Sequence, residues 1–509
     1  MACHRLLLGH PCRSLWIAGL ILSVVSPLPL LQAQSKSPFR ERLIPLSVVP
    51  KGWTVATGSF LASPDATRVA VKVSRDGGGF QKAVMVDQVL NEVGPVSYGP
   101  VFSLESNQVA MVSSHGGQGL LNVNGVKTSR TPDPVAEPVF SPDGQRVAYI
   151  GRAGSERLVY VDGRSGTVCY DEILSDSLFF SPDSKHFAFV ARRGDAWFVV
   201  VNGQEGSAYA QVAAPVFSPN SQRFAYWAMN DARVWVMVTD GQENPLVTVR
   251  KQAGLSFSPD SSQLVGFGRR HNRWHVITDD RFDEGHDALG LGSLTFSPDS
   301  RHIAYAAMDD GRWTVVVDGF VVGDFEGLLA GSFRFSGDSS RLGYVAKGPD
   351  GWFAMINNDK HRPFDHISAK SLQFSPDSLR FAYVAKNDSE RVTVVVDGYR
   401  WGICDGVEDL KFSPDSASVV WVERRGHTSR VVVDGAPGAQ SFDQLVPGAS
   451  LVFDDPGALH TLVYKRPGPV FFRYEAQLYP QQGYPQDDSG DDDATPMVIQ
   501  AGDGPVTGP

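Results

Sequence analysis

Hydrophobic positions along this chain return in blocks. A short apolar run ends in an aromatic residue and a serine, a tight turn follows, and a second apolar run begins a few residues later, as in Phe140-Ser141-Pro142-Asp143 ahead of Val147-Ala148-Tyr149. The same run reappears as Phe180-Ser181-Pro182-Asp183, Phe217-Ser218-Pro219-Asn220 and Phe257-Ser258-Pro259-Asp260. The serine falls at 63, 103, 141, 181, 218, 258, 297, 336, 375 and 413, with Asp454 in the place of an eleventh, a period of about 39 residues.

Within one unit the pattern predicts four short strands. Residues 372–375 end a first strand, and Pro376-Asp377-Ser378 makes a turn in which proline presets φ and aspartate bonds back to the backbone. Residues 380–386 (RFAYVAK) form a second strand, and residues 392–396 a third. Asp397-Gly398 then suits a two-residue hairpin into a fourth strand ending at Cys404. Six residues past the serine stands a large apolar residue (Val147, Phe187, Phe224, Ile303, Phe381). A small residue and usually an aromatic one follow it (Ala148-Tyr149, Ala225-Tyr226, Ala382-Tyr383). Apolar residues on both faces mean a sheet sandwiched between two others. Four-stranded sheets repeated face to face are the blades of a β-propeller.

The unit Phe-Ser-Pro-Asp-x-x-x-apolar-Ala-Tyr, followed by Val-Val-Val-Asp-Gly, resembles the WD40-like repeat named for its Pro-Asp pair. That repeat is found in TolB-like proteins and in the propeller domains of prolyl-oligopeptidase-type peptidases. The resemblance covers roughly residues 59–475 and implies an all-β propeller. Eleven units exceed the usual four to eight or so blades of one ring. Two tandem propellers are therefore expected, blades 1–5 in residues 59–257 and blades 6–11 in residues 258–476, with one large ring as the alternative.

Composition adds compartment and partners. Glycine (51 of 509) and proline (33) run high because every unit spends them in turns. Arg5 and Arg13 precede an apolar run at residues 15–25 that Pro27 interrupts, too short to span a bilayer but fitted to a secretory leader over residues 1–34. The expectation is export to the periplasm or the cell exterior, without stable membrane insertion. Residues 35–58 are an N-terminal segment, of which 40–53 can supply a closing strand. Residues 477–509 read as a disordered acidic tail, with six aspartates from Asp487 to Asp503 and no basic residue. A net charge of -10 argues against a nucleic-acid partner.

Candidate chemistry is sparse. A peptidase of the resembling family needs a Gly-x-Ser-x-Gly elbow, and the nearest approach, Gly163-Arg164-Ser165-Gly166, has the wrong spacing. His271, His275, Asp279, Asp280, Asp283, Glu284, His286 and Asp287 form the densest group of possible metal ligands, with a second pair at Asp365 and His366 in the fourth-strand region of another blade. These read as loop residues, so no catalytic residue, metal or cofactor is assigned. Cys169 and Cys404 read as inert thiols. Two periodic features are candidate binding surfaces. One is basic residues in the loop between the second and third strands: Arg152, Arg192, Arg193, Arg269, Arg270, Lys347, Lys386, Arg424 and Arg425. The other is a tryptophan belt at the start of the third strand: Trp197, Trp235, Trp274, Trp313 and Trp352. The function expected is an exported, non-catalytic scaffold that binds a protein or an anionic surface polymer through one face. A propeller lactonase, lyase or glycosidase is the alternative.

Overall fold

The structure, a computed structural model, describes residues 39–478 apart from 76–81, 88, 92–95, 116–117, 388–390 and 467–469. The leader and nearly all of the acidic tail lie outside these residues. Eleven antiparallel blades of four strands follow one another around a single ring, the arrangement expected as the alternative to two tandem propellers. The first strands of neighbouring blades touch, Thr295–Phe296 against Arg334–Phe335 and these against Gln373–Phe374, so the first strands lie innermost. One long strand, Val126–Pro134, serves as the last of blade 2 and also pairs with Val147–Ala153 of blade 3.

The eleventh blade is completed from the other end of the chain. Arg40–Val48 pairs antiparallel with Val470–Gln477, placing Arg40 opposite Gln477 and Leu43 opposite Tyr474. The Tyr474 hydroxyl donates to Glu41 at 2.6 Å, and the Arg42 guanidinium meets Glu475. The last blade then packs on the first: Ala62, Ala66 and Val69 share a buried cluster with Val446, Leu462 and Phe471. The Ala62 N–H donates to the Pro447 carbonyl at 2.9 Å.

Each joint between blades is a separate apolar core. At the blade 5 to 6 joint, where two rings would divide, Ala225, Trp227 and Met237 pack with Phe257, Leu264 and Ile277. Trp227 is fully buried, and its indole N–H donates to the Gly254 carbonyl at 3.0 Å. The alternation of small and aromatic residues in the second strands explains this packing. Alanine at 148, 188, 225, 304 and 382 lets the next sheet approach, and the aromatic ring beside it fills the opposite joint.

The Ser-Pro-Asp turn does more than reverse the chain. In blade 4 the buried Ser181 hydroxyl donates to the Asp183 carboxylate at 2.6 Å and accepts the His186 N–H at 3.0 Å. The same carboxylate accepts the Lys185 N–H. The serine that follows the aspartate takes a positive φ, 64° at Ser184 and 68° at Ser261, which turns its hydroxyl toward the preceding blade. There it accepts the N–H of that blade's Pro-Asp residue: Asp143 to Ser184, Asp183 to Ser221, Asn220 to Ser261 and Asp260 to Ser300, all at 2.9–3.0 Å. Asp65 to Ser106, Asp299 to Ser339, Asp338 to Ser378 and Asp377 to Ser416 complete the set. Blade 3 has Gly144 at this position, where a Cβ would stand 3.0 Å from that of Ser103.

Candidate binding face

The Pro-Asp and Asp-Gly turns gather at one end of the blades, the turn end. The connection from second to third strand lies at the other, the loop end. The residues nearest the loop end form a row across each blade, and the two candidate surfaces prove to be neighbours in it. In blade 4 the row runs Glu172, Arg192, Trp197, Tyr209. In blade 6 it is Lys251, Arg269, Trp274, His286, and in blade 8 Gly327, Lys347, Trp352, Phe364. Directly opposed residues of an antiparallel pair share a face, so cation and indole meet. Arg192 lies over Trp197 at 5.8 Å and Lys347 over Trp352 at 5.9 Å, while in blade 6 it is Lys251, one strand beyond Arg269, that lies over Trp274 at 5.7 Å. In blades 5 and 7, Met229 and Met308 stand opposite Trp235 and Trp313. All five tryptophans are half-buried, each against an interblade core.

The basic residues divide by their neighbours. Arg192 reaches Glu172 at 3.2 Å, Arg193 holds Glu205 through both guanidinium nitrogens, and Arg425 holds Glu423 likewise. Arg152 lies opposite Arg157 and Asp133, Lys386 opposite His366 and Val392, and Arg424 opposite Gly406 and Ser429. Arg269 reaches the Asn272 carbonyl, and Arg270 lies over the Phe282 ring at 5.1 Å.

The histidine and aspartate group forms a hydrogen-bonded junction between blades 6 and 7. His286 Nδ1 lies 2.6 Å from Asp309 and its Nε2 3.4 Å from Asp283, while Tyr305 donates to Asp283 at 3.0 Å. His275 Nδ1 stands 3.1 Å from the Asp283 carbonyl and 3.3 Å from its carboxylate. Arg273 binds Asp309 at 2.6 Å and Asp287 at 3.4 Å. Hydrogen bonding to Asp283 raises the pKa of His286 above its ordinary value, against the opposing effect of burial. Asp309 titrates below the ordinary carboxylate range: burial is the largest single effect and opposes this, but the bond and attraction to His286, the Asp287 N–H and the Arg273 charge together outweigh it. Among the described residues no group of three or more His, Cys, Asp or Glu is arranged to hold a metal ion. Asp365 and His366 were expected in a fourth-strand region. Instead His366–Ile367 begins the first strand of blade 9, two joints away from His286. Cys404 is buried, its pKa raised by desolvation, with its Sγ 3.2 Å from the Gly406 carbonyl. Cys169 is half-buried and unpaired.

A second set of basic residues, not foreseen from the sequence, works at the turn end. Arg146, Arg223, Arg341 and Arg380, five residues past the motif serine, each lie over the phenylalanine of the next blade's motif at 4.8–5.5 Å. His186 and His302 occupy the same position and stack on Phe217 and Phe335. The signal was present as a recurrent Arg or His before each second strand, but the ring it meets lies about 34 residues ahead, on another blade.

No protein-family model matches the chain, and no curated protein matches it in sequence. The resemblance to the WD40-like repeat is one of sequence motif alone. Among solved structures the chain is similar to one described as the crystal structure of the eukaryotic initiation factor, with a TM-score of 0.38 and 12% identity over 68% of this chain and 94% of that one. It is also similar to TolB from Acinetobacter baumannii, with a TM-score of 0.23 and 18% identity over 44% of this chain and 61% of that one. The fold stands on the strand order described above, and neither likeness adds to it.

Proposed function

We propose that this chain is an exported, non-catalytic scaffold, a ring that binds a macromolecular partner, a protein or an anionic surface polymer, through its loop-end face. The observation that carries this reading is the contrast in what polar side chains do. At the turn end the serines, aspartates and arginines are bonded to each other and to the next blade, so they hold the ring. At the loop end, cations and indoles stand at the rim, and among the described residues Arg269, Arg270 and Lys347 form no ion pair. Export is supported by the apolar run at residues 15–25 behind Arg5 and Arg13.

The test is capture from a native envelope extract by the full chain and by a variant with Arg192, Arg193, Arg269 and Arg270 all changed to alanine. Wild type should retain a defined set of molecules, and the variant should lose most of it while melting at the same temperature. Equal capture by both proteins overturns the loop-end reading.

A further inference from the structure

The loop end of blade 6 gathers four basic residues, Arg250, Lys251, Arg269 and Arg270. Arg250, Lys251 and Arg270 are exposed and Arg269 is half-buried. Among the described residues none of the four forms an ion pair; their side-chain contacts are the Trp274 and Phe282 rings and the Asn272 carbonyl. In blade 4 the cations at this end are matched, Arg192 by Glu172 and Arg193 by Glu205, and within blade 6 itself Arg273 is matched by Asp309. Asp287 and Asp309, at the junction with blade 7, are already engaged by Arg273 and His286.

Pairing sets the spacing of these charges. Lys251 lies opposite Arg269, and Arg269 opposite Trp274, so cation, cation and indole succeed one another at the interstrand step of about 4.8 Å. Like charges so close repel, and an incoming polyanion releases their counterions, which favours association at low salt. The patch also lacks the apolar anchor that a protein interface places at its centre. The most exposed large apolar side chains, Phe320 and Leu379, lie on the fourth strand of blade 7 and on a Pro-Asp turn. A single indole already covered by Lys251 is no stacking ladder for the bases of a nucleic acid. A partner rich in hydroxyls, with one carboxylate per monomer, meets all of these conditions.

We infer that the blade 6 patch of Arg250, Lys251, Arg269 and Arg270 binds a linear acidic polysaccharide, a polyuronate with one carboxylate per sugar. The inference rests on the loop-end scaffold reading and narrows its partner. Calorimetric titration of de-esterified polygalacturonate into the full chain tests it, with the fully methyl-esterified polymer as the neutral control. Wild type should bind only the de-esterified polymer, and raising salt or introducing R269E/R270E should each weaken binding by about tenfold or more. R269Q/R270Q, which adds no repulsion, should give a smaller loss at an unchanged melting temperature. Absent binding, equal binding of the esterified polymer, or undiminished binding by both variants overturns the inference. So does equally tight binding of single-stranded DNA or of phosphatidylglycerol vesicles. If polygalacturonate fails while the four-alanine variant still loses capture from the envelope extract, only the choice of polymer falls. If that capture is unchanged, the loop-end reading falls with it.

Discussion

The two ends of each blade are built from the same strands and treat their polar residues in opposite ways. At the turn end nearly every blade repeats one set of bonds: serine to aspartate within the turn, and aspartate N–H to the serine of the next blade. An arginine or histidine then stacks on the phenylalanine of the next blade. At the loop end the row keeps its geometry but not its chemistry, with Glu172-Arg192-Trp197 in blade 4, Gln211-Met229-Trp235 in blade 5 and Lys251-Arg269-Trp274 in blade 6. Blades must join identically to close a ring, so the joining end repeats. The end whose joining bonds do not repeat from blade to blade is free to differ, and a site for a partner belongs there.

The largest break in this comparison comes from the joint itself. Trp227→Ala empties the fully buried space between blades 5 and 6 and strands the Gly254 carbonyl, and is expected to cost about 3–5 kcal/mol in urea unfolding. If blades 5 and 6 belonged to separate rings, the loss would be that of a surface change.

Next are the turn-end serines. Ser297 is fully buried, and Ser297→Ala leaves the Asp299 carboxylate and the His302 N–H short of a partner, for a loss of about 1–3 kcal/mol. Ser300→Ala removes the bond from the Asp260 N–H and should cost about 1 kcal/mol. Urea midpoints of the two variants check the order.

Acid separates the two ends further. Hydrogen bonds from Ser181, Ser258 and Ser336 hold Asp183, Asp260 and Asp338 down to about 2, so their contribution is present above about 3.8 and is lost as pH falls toward 2. Hydrogen exchange should therefore quicken in the Pro-Asp turns over that window. The blade 6 to 7 junction has a second limit. His286, its pKa raised, stabilises fully below about 6.5 and loses that contribution as pH rises through its folded value. His286→Gln should remove the alkaline-side loss of stability, read as melting temperature against pH. At the small end, R269Q/R270Q should move stability by no more than about 0.5 kcal/mol, since among the described residues these side chains hold a loop carbonyl and a ring face.

Much of the fold is legible in the sequence because the repeat states it locally. The Pro-Asp turn, the Asp-Gly hairpin and the small-then-aromatic second strand all lie within one unit. Asp162 and Gly163 do take the paired positive φ of the hairpin, 52° and 75°. What is not legible depends on the neighbouring blade. Ser184 shows no sign in its own unit that its hydroxyl serves Asp143, 41 residues earlier. The number of rings is another such property. The usual blade count suggested two, whereas the unbroken spacing of the motif across residue 258 is what a continuous joint requires.

The candidate face is legible in part. Arginine five residues before tryptophan at Arg192 and Trp197, or Arg269 and Trp274, is a spacing that a tight hairpin turns into a contact. The carboxylates that neutralise Arg192 and Arg193 arrive from 20 residues before and 12 after. The basic recurrence alone therefore cannot separate blade 4, where charge is matched, from blade 6, where it is not.

Hydrogen exchange with and without bound polygalacturonate, followed by mass spectrometry on the full chain, tests the division of the two ends most directly. The account predicts new protection in peptides spanning residues 250–252 and 269–274, with the Pro-Asp turns at 258–263 and 297–302 already slow and unchanged. New protection confined to the Pro-Asp turns, or none at the loop end of blade 6, would contradict it.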